Sequence, residues 1–143
     1  MGDPLGLKII EEDQISQANL VRDKTSSWIF DCGATDTMSF DPRDFETLNI
    51  PNKTHIQIAN GELSCVKGMG QINLSPEISI QKCLFVPNLS HKLLSISQIT
   101  QQLSCTVLMY PKFCLIQDIQ TGRILGRGTE HNGLYYVLSL IHI

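Results

Sequence analysis

The sequence has no long apolar run and no excess of basic residues. No stretch approaches the roughly 20 consecutive apolar residues that a membrane-spanning helix needs, which argues against a membrane protein. The formal net charge is −3, from 11 basic and 14 acidic residues, which argues against a protein that follows the phosphate backbone of a nucleic acid. Residues 1–14 contain neither a basic segment nor a long apolar segment, so they do not resemble a secretion signal. We therefore expect an intracellular protein with neither a membrane nor a nucleic acid as a direct partner.

Paired cysteines and paired histidines are also missing. The five cysteines are an odd number and include no C-x-x-C motif, so we expect reduced thiols, packed mostly in strands. They are Cys32, Cys65, Cys83, Cys105 and Cys114. No histidine has a second histidine three to five residues away, so neither a metal site nor any other cofactor is expected.

The sequence does contain a long series of short apolar or alternating segments. With 143 residues, 42% of them hydrophobic, the chain suits one globular domain. From Trp28 onward, strand-length segments are bounded by glycine, proline, asparagine or aspartate, which predicts an all-β barrel or sandwich. These segments are WIF, HIQIA, LSCVKGMGQINL, ISIQKCLFV, LSCTVLMY, FCLIQDI, RILGRG and GLYYVLSL. Residues 1–26 are polar and are predicted to be an N-terminal linker.

One short helix and two tight turns are predicted within this series. In NLSHKLLSISQITQQ, residues 88–102, the apolar residues Leu89, Leu93 and Ile96 have helical spacing. In HIQIANGELSCV, alternating residues flank Asn60-Gly61, which predicts a hairpin with a two-residue type I′ turn. A second Asn-Gly pair, Asn132-Gly133, marks another turn.

The segment SSWIFDCGATDTMSF, residues 26–40, ends an apolar strand on the acid Asp31. Gly33 and Ala34 follow, and their small side chains leave the carboxylate accessible. Taken alone, this pattern is typical of an ordinary turn. Aspartic peptide hydrolysis needs two close carboxylates that share a proton, and the chain contains one D-x-G-A motif. Catalysis by Asp31 therefore predicts a homodimer in which a two-fold axis supplies the second acid.

Four motifs in the same order resemble the retropepsin-like aspartic protease region of copia-type LTR retrotransposon Gag-Pol polyproteins. WIFDCGATDTM is similar to the opening W-I-x-D-S-G-A-[ST]-x-H-M, and IQIANGELSCVKGMGQINL to the hairpin V-x-L-A-N-G-x-x-x-x-V-x-G-x-G. CLFVPNLSHKLLSISQIT is similar to V-L-Y-V-P-x-L-x-x-N-L-L-S-V-S-Q-L. GRILGRGTEHNGLYYVL is similar to the family's G-x-x-I-G-x-G-x-x-x-x-G-L-Y-Y-L at the approach to integrase. The resemblance covers about residues 27–138.

This resemblance implies a fold, an activity and a set of partners. The fold is an all-β, closed, barrel-like acid-protease protomer with one short helix, with the barrel in residues 27–104 and a C-terminal β-extension or pre-integrase linker in residues 105–143. The activity is an aspartic endopeptidase that, as a homodimer, cleaves its parent Gag-Pol polyprotein without a cofactor. The location is the cytoplasm, within a virus-like particle.

The resemblance also assigns the site residues. Asp31 matches the catalytic aspartate. The active-site turn that positions it comprises Cys32, Gly33, Ala34 and Thr35. The flap that folds over a substrate has Ala59, Asn60 and Gly61 at its tip.

Two positions depart from the family pattern. Cys32 replaces a serine whose hydroxyl joins the two active-site loops across the dimer, and a thiol is a weaker hydrogen-bonding group. Thr35 offers a hydroxyl nearby, and Thr37 stands where the family often has histidine. An alternative is therefore a catalytically decayed β-barrel module for interaction or dimerisation. A further alternative makes Cys32 the nucleophile of a cysteine hydrolase, with His55 or His91 as its base.

Overall fold

The computed structural model describes residues 27–76 and 78–140. These residues form eleven strands and one α-helix. The strands are β1 (Trp28–Asp31), β2 (Met38–Ser39), β3 (His55–Gln57), β4 (Leu63–Cys65), β5 (Gly68–Ser75), β6 (Ile78–Phe85), β7 (Lys92–Ser95), β8 (Cys105–Met109), β9 (Phe113–Asp118), β10 (Ile124–His131) and β11 (Leu134–Leu140). The helix is α1 (Ile96–Leu103). The predicted linker, residues 1–26, lies outside the described residues.

Nine of the strands form one sheet in the order β5-β6-β2-β7-β1-β11-β10-β9-β8, and β3 pairs with β4 in a separate hairpin. The sheet curls into a half-barrel, with β5 and β8 as its two edges. Strand β1 lies at the centre, parallel to β7 and antiparallel to β11. The prediction of an all-β, barrel-like domain with one short helix is confirmed. No helix in the described residues has the length and apolar character needed to cross a membrane.

The main hydrophobic core draws on strands from both halves of the chain. Its buried members are Phe30, Ile72, Ile80, Cys83, Leu94, Ile99, Cys105, Cys114, Ile116 and Leu125. Full burial of a side chain the size of leucine or phenylalanine stabilises a fold by about 1.5–3 kcal/mol. Because strands β8–β10 bury side chains in the same core as β1 and β5–β7, both groups of strands stabilise one folding unit. The predicted boundary between residues 104 and 105 lies at the end of α1, between strands of this one sheet.

A second core cluster anchors the β3–β4 hairpin on the sheet. It contains Met38, Ile56, Val66, Leu84 and Val86. Since Ile56 lies in β3 and Leu84 in β6, the hairpin is attached by apolar packing as well as by the chain on either side of it.

The predicted helix begins later than its sequence pattern indicated. Residues 92–95 are strand β7, which pairs in parallel with β1, and the helix starts only at Ile96. The Ser95 side chain caps the helix by accepting a hydrogen bond from the backbone N–H of Gln98. The helical spacing of Leu89 and Leu93 was therefore misleading, because pairing with the central strand determined the backbone of residues 92–95.

The two Asn-Gly turns differ in type. At Asn60-Gly61 only Gly61 has a positive φ, +86°, and its N–H donates to the carbonyl of Ile58 at 2.9 Å. The loop is thus a three-residue connection with a left-handed glycine, and the predicted type I′ turn is wrong there. Asn132 and Gly133 have φ of +53° and +83°, as a type I′ turn requires.

Candidate active site

Asp31 is the last residue of β1 and is half-buried. Its Oδ1 atom accepts hydrogen bonds from the backbone N–H groups of Gly33 at 2.9 Å and Ala34 at 3.1 Å. Both bonds use the same oxygen, so Oδ2 remains available to a ligand. Asp31 is therefore a turn residue that also presents an accessible carboxylate.

The turn after Asp31 is attached to the start of α1. The Ser95 hydroxyl donates to the carbonyl of Ala34 at 2.7 Å, and the Ser95 N–H donates to Thr37 Oγ1 at 3.1 Å. The Thr37 N–H donates to Gln98 Oε1 at 2.8 Å. Neither Ser95 nor Gln98 is predictable from the sequence, because no local pattern links residues about 60 positions apart.

A groove of about 1020 Å³ lies between the Asp31 turn and the β3–β4 hairpin. The structure brings together along it every predicted site residue except Cys32. These lining residues are Asp31, Gly33, Ala34, Thr35, Ala59, Asn60 and Gly61. Cys32 is exposed and does not line the groove. The groove is an open cleft bounded by the hairpin on one side, a shape that suits an extended peptide.

An ion pair joins the two walls of this groove. Lys53 Nζ, next to the hairpin, lies 2.8 Å from Asp36 Oδ2, in the segment after the Asp31 turn. Their side chains are 40% and 21% exposed, so solvent limits the contribution of the pair to about 0–1 kcal/mol. The Thr35 hydroxyl also donates to Asp36 Oδ2, at 3.1 Å. The sequence pattern predicts a role for the hydroxyl of Thr35 and none for Lys53.

A thiol and an imidazole meet on the hairpin itself. His55 and Cys65 are cross-strand neighbours, with Nε2 and Sγ 3.5 Å apart. His55 is one of the two candidate bases for Cys32 in the cysteine-hydrolase alternative, but the thiol that it contacts is that of Cys65. The described residues contain no group of three or more side chains arranged to bind a metal ion.

The other three cysteines, Cys83, Cys105 and Cys114, are buried and do not line the groove. All five cysteines, within the described part of the chain, are free thiols. Burial raises the pKa of Cys105 to about 11 and that of Cys114 to about 12, and it also raises the pKa of Cys83. These three groups stay protonated at neutral pH and act as small apolar side chains.

Comparison with known proteins gives two matches. The family model described as "Pol polyprotein, beta-barrel domain" matches residues 28–103, slightly more than half of the chain. The "Retrovirus-related Pol polyprotein from transposon RE1" of Arabidopsis thaliana is 24% identical over 118 residues. That alignment covers 78% of this chain and 8% of the relative, so the chain spans a small part of that polyprotein's length. No solved structure matches the chain significantly.

Proposed function

The chain belongs to the Pol polyprotein beta-barrel domain family, and on that premise we propose that it is one protomer of a homodimeric aspartic endopeptidase. Its substrate would be a peptide bond in the parent retrotransposon polyprotein. The observation that carries this proposal is the position of Asp31, whose carboxylate lines a groove facing the β3–β4 hairpin. The resemblance to copia-type Gag-Pol proteins, read from four ordered motifs, supports it.

The chemistry requires the Asp31 carboxylates of two copies. One carboxylate is ionised and takes a proton from a water molecule held between the pair, while the protonated one donates to the carbonyl oxygen of the scissile bond. The hydrogen bonds from Gly33 and Ala34 to Oδ1 hold each carboxylate in place. Because the pair must share one proton, activity has both an acidic and an alkaline limit.

The hairpin supplies the binding surface. An extended peptide in the groove would lie between the Asp31 turn and the loop at Ala59, Asn60 and Gly61, which is exposed. Backbone hydrogen bonds to an added strand give affinity with little dependence on sequence. Closure of the hairpin would exclude water from the reacting bond.

The test is a cleavage assay on a polyprotein fragment that spans the junctions of this chain, from about pH 4 to pH 7. Asp31→Asn should abolish cleavage and keep the fold, because an amide oxygen still accepts from Gly33 and Ala34. Asp118→Asn is the matched control, since Asp118 Oδ1 also accepts from a backbone N–H two residues on but does not line the groove. Cleavage retained in Asp31→Asn would refute the mechanism.

A second candidate function is a non-catalytic interaction or dimerisation module. The observation that favours it is the exposed thiol of Cys32 at the position where the family has a serine. This candidate predicts no cleavage even at high protein concentration. Cys32→Ser should restore cleavage if the weak thiol alone is responsible. Mass in solution gives a direct discriminator, because a chain that stays monomeric cannot assemble the pair of carboxylates.

A further inference from the structure

We propose that Ser95 is a positioning residue for Asp31, an inference that rests on the proposed function. Asp31 and Ser95 are partners in the parallel pairing of β1 with β7. Each ends its strand, Asp31 at the candidate active-site turn and Ser95 at the helix α1. Ser95 is fully buried and does not line the groove, so any effect on the reaction must pass through the turn.

The Ser95 hydroxyl makes two different hydrogen bonds. Its oxygen accepts from the Gln98 N–H at 3.1 Å, which caps the helix. Its proton goes to the carbonyl of Ala34 at 2.7 Å. A hydroxyl has a single proton to donate, so the helix cap and the bond to Ala34 together fix its orientation.

Ala34 transmits this contact to the carboxylate. The carbonyl of Ala34 accepts from Ser95, and the N–H of Ala34 donates to Asp31 Oδ1 at 3.1 Å. Ala34 is thus fixed through its carbonyl by Ser95, and it fixes the Asp31 carboxylate through its N–H. Loss of the Ser95 hydroxyl leaves the position of Ala34, and with it Oδ1, less restricted.

Thr37, which follows the turn, is also hydrogen-bonded to residues at the start of α1. The Ser95 N–H donates to Thr37 Oγ1, and the Thr37 N–H donates to Gln98 Oε1. The amide nitrogen of Gln98 in turn donates to the carbonyl of Gln81 at 2.7 Å. A turn tied at two points to the start of α1, at the buried Ser95 and at Gln98, keeps the geometry that catalysis requires.

Loss of the Ser95 hydroxyl should affect kcat and leave KM nearly unchanged. A shift of about 1 Å in a catalytic group can cost on the order of 100-fold in rate, whereas the peptide contacts of the hairpin do not involve Ser95. Loss of the hydroxyl should therefore lower kcat on the order of tenfold or more and leave KM within about twofold.

The experiment uses the full 143-residue chain and compares Ser95→Val with Ser95→Thr. These two side chains have the same shape and differ in the hydroxyl, so any stability lost to the added bulk is common to both. Ser97→Ala is the control for the helix, because Ser97 is exposed in the same first turn. Ser95→Gly is a further variant, since glycine is tolerated at a helix N-cap.

Two readouts separate this inference from the proposed function. The first is backbone amide hydrogen exchange at Ala34 and Thr37, which needs no activity. We expect exchange on the order of tenfold faster in Ser95→Val and Ser95→Gly than in Ser95→Thr. The second readout is the change in kcat and KM.

Each outcome decides one of the two ideas. Faster exchange with a fall in kcat at constant KM supports the positioning role. Exchange in Ser95→Val equal to that in Ser95→Thr overturns it, whether or not the chain cleaves peptides. Absence of cleavage in the unmodified chain, with the exchange difference present, refutes the proposed function and shows that Ser95 orders the turn.

Discussion

At the scale of single residues, the local pattern identified the acid but not the groups that hold it. Asp31 could be predicted because a strand end, an acid and a small turn are adjacent in sequence. Ser95 and Gln98 could not, because their contacts depend on the parallel register of β1 and β7. Such a register follows from packing of whole strands, and no single residue encodes it.

The same limit explains the error at Asn60-Gly61. The dipeptide indicates a turn with a left-handed glycine, and Gly61 does adopt that conformation. The type I′ geometry also requires the two strands to close directly on the dipeptide. Here the outermost backbone hydrogen bond runs from the N–H of Ile58 to the carbonyl of Glu62, so three residues lie between the strands. The location of the turn was therefore predictable, but its type was not.

Thiol reactivity is a prediction that belongs to single side chains. Burial raises the pKa of Cys105, Cys114 and Cys83, and the thiolate is the reactive form. At about pH 8, iodoacetamide should therefore label Cys32 and Cys65 in the native chain and all five thiols in the unfolded chain. Mass spectrometry of the labelled peptides measures this. Rapid native labelling of Cys114 would contradict the packing of β9.

At the scale of elements, the longer strands were predictable from the sequence, but the short strands β2 and β7 were not. Each of the eight strand-length segments predicted from the sequence contains a strand, and LSCVKGMGQINL, residues 63–74, contains two, β4 and β5. Strand β2 was missed because it has only two residues, and β7 was included in the predicted helix. Both lie inside the sheet, β2 between β6 and β7 and β7 between β2 and β1, where hydrogen bonding to neighbours fixes the backbone more strongly than the propensity of a few residues does.

The loop of residues 45–49 packs closely against the backbone of strand β5. Residues 45–49 run beside this edge strand, where Asn49 forms an isolated bridge with Met69. The chain here connects the Asp31 turn to the β3–β4 hairpin. A Cβ atom at Gly70 would lie 1.9 Å from the carbonyl oxygen of Thr47, which is backbone and cannot rotate away.

Replacement of this glycine should therefore move the loop. We expect Gly70→Ala to reduce the free energy of unfolding by about 1–3 kcal/mol. Gly68→Ala is the matched control, because its added methyl would meet a flexible atom, Leu48 Cδ2, at 3.1 Å, and it should cost less. Urea unfolding followed by circular dichroism measures both. Equal losses for the two variants would show that the loop is not held against β5.

At the scale of the whole molecule, nine of the eleven strands in the described residues share one sheet, and that sheet carries the main core. Strand β11 pairs with β1, so the last strand of the described residues lies beside the strand that carries Asp31. At Gly128, in β10, an added Cβ would lie 2.6 Å from Cys114 Sγ and 2.8 Å from a ring carbon of Phe30. The strands after residue 104 thus make close contact with the strand that ends at the candidate active site.

This arrangement makes a prediction about where the folding unit ends. A chain cut after residue 104 loses β8–β11, which leaves β1 without its antiparallel neighbour and exposes Phe30 and Leu94 of the main core. We expect residues 1–104 to give no cooperative unfolding transition in urea, while residues 1–143 give one. Two-dimensional NMR of both chains, at equal concentration, provides a second measurement.

The result bears on the candidate site as well as on the fold. If residues 1–104 unfold cooperatively with the stability of the longer chain, the unit ends near residue 104, and β8–β11 are an extension that the Asp31 turn does not need. If the shorter chain is unfolded, the strands that follow α1 are part of the scaffold that holds Asp31. Any assay of the proposed activity must then use a chain that includes them, because loss of cleavage in a shorter piece would reflect loss of the fold.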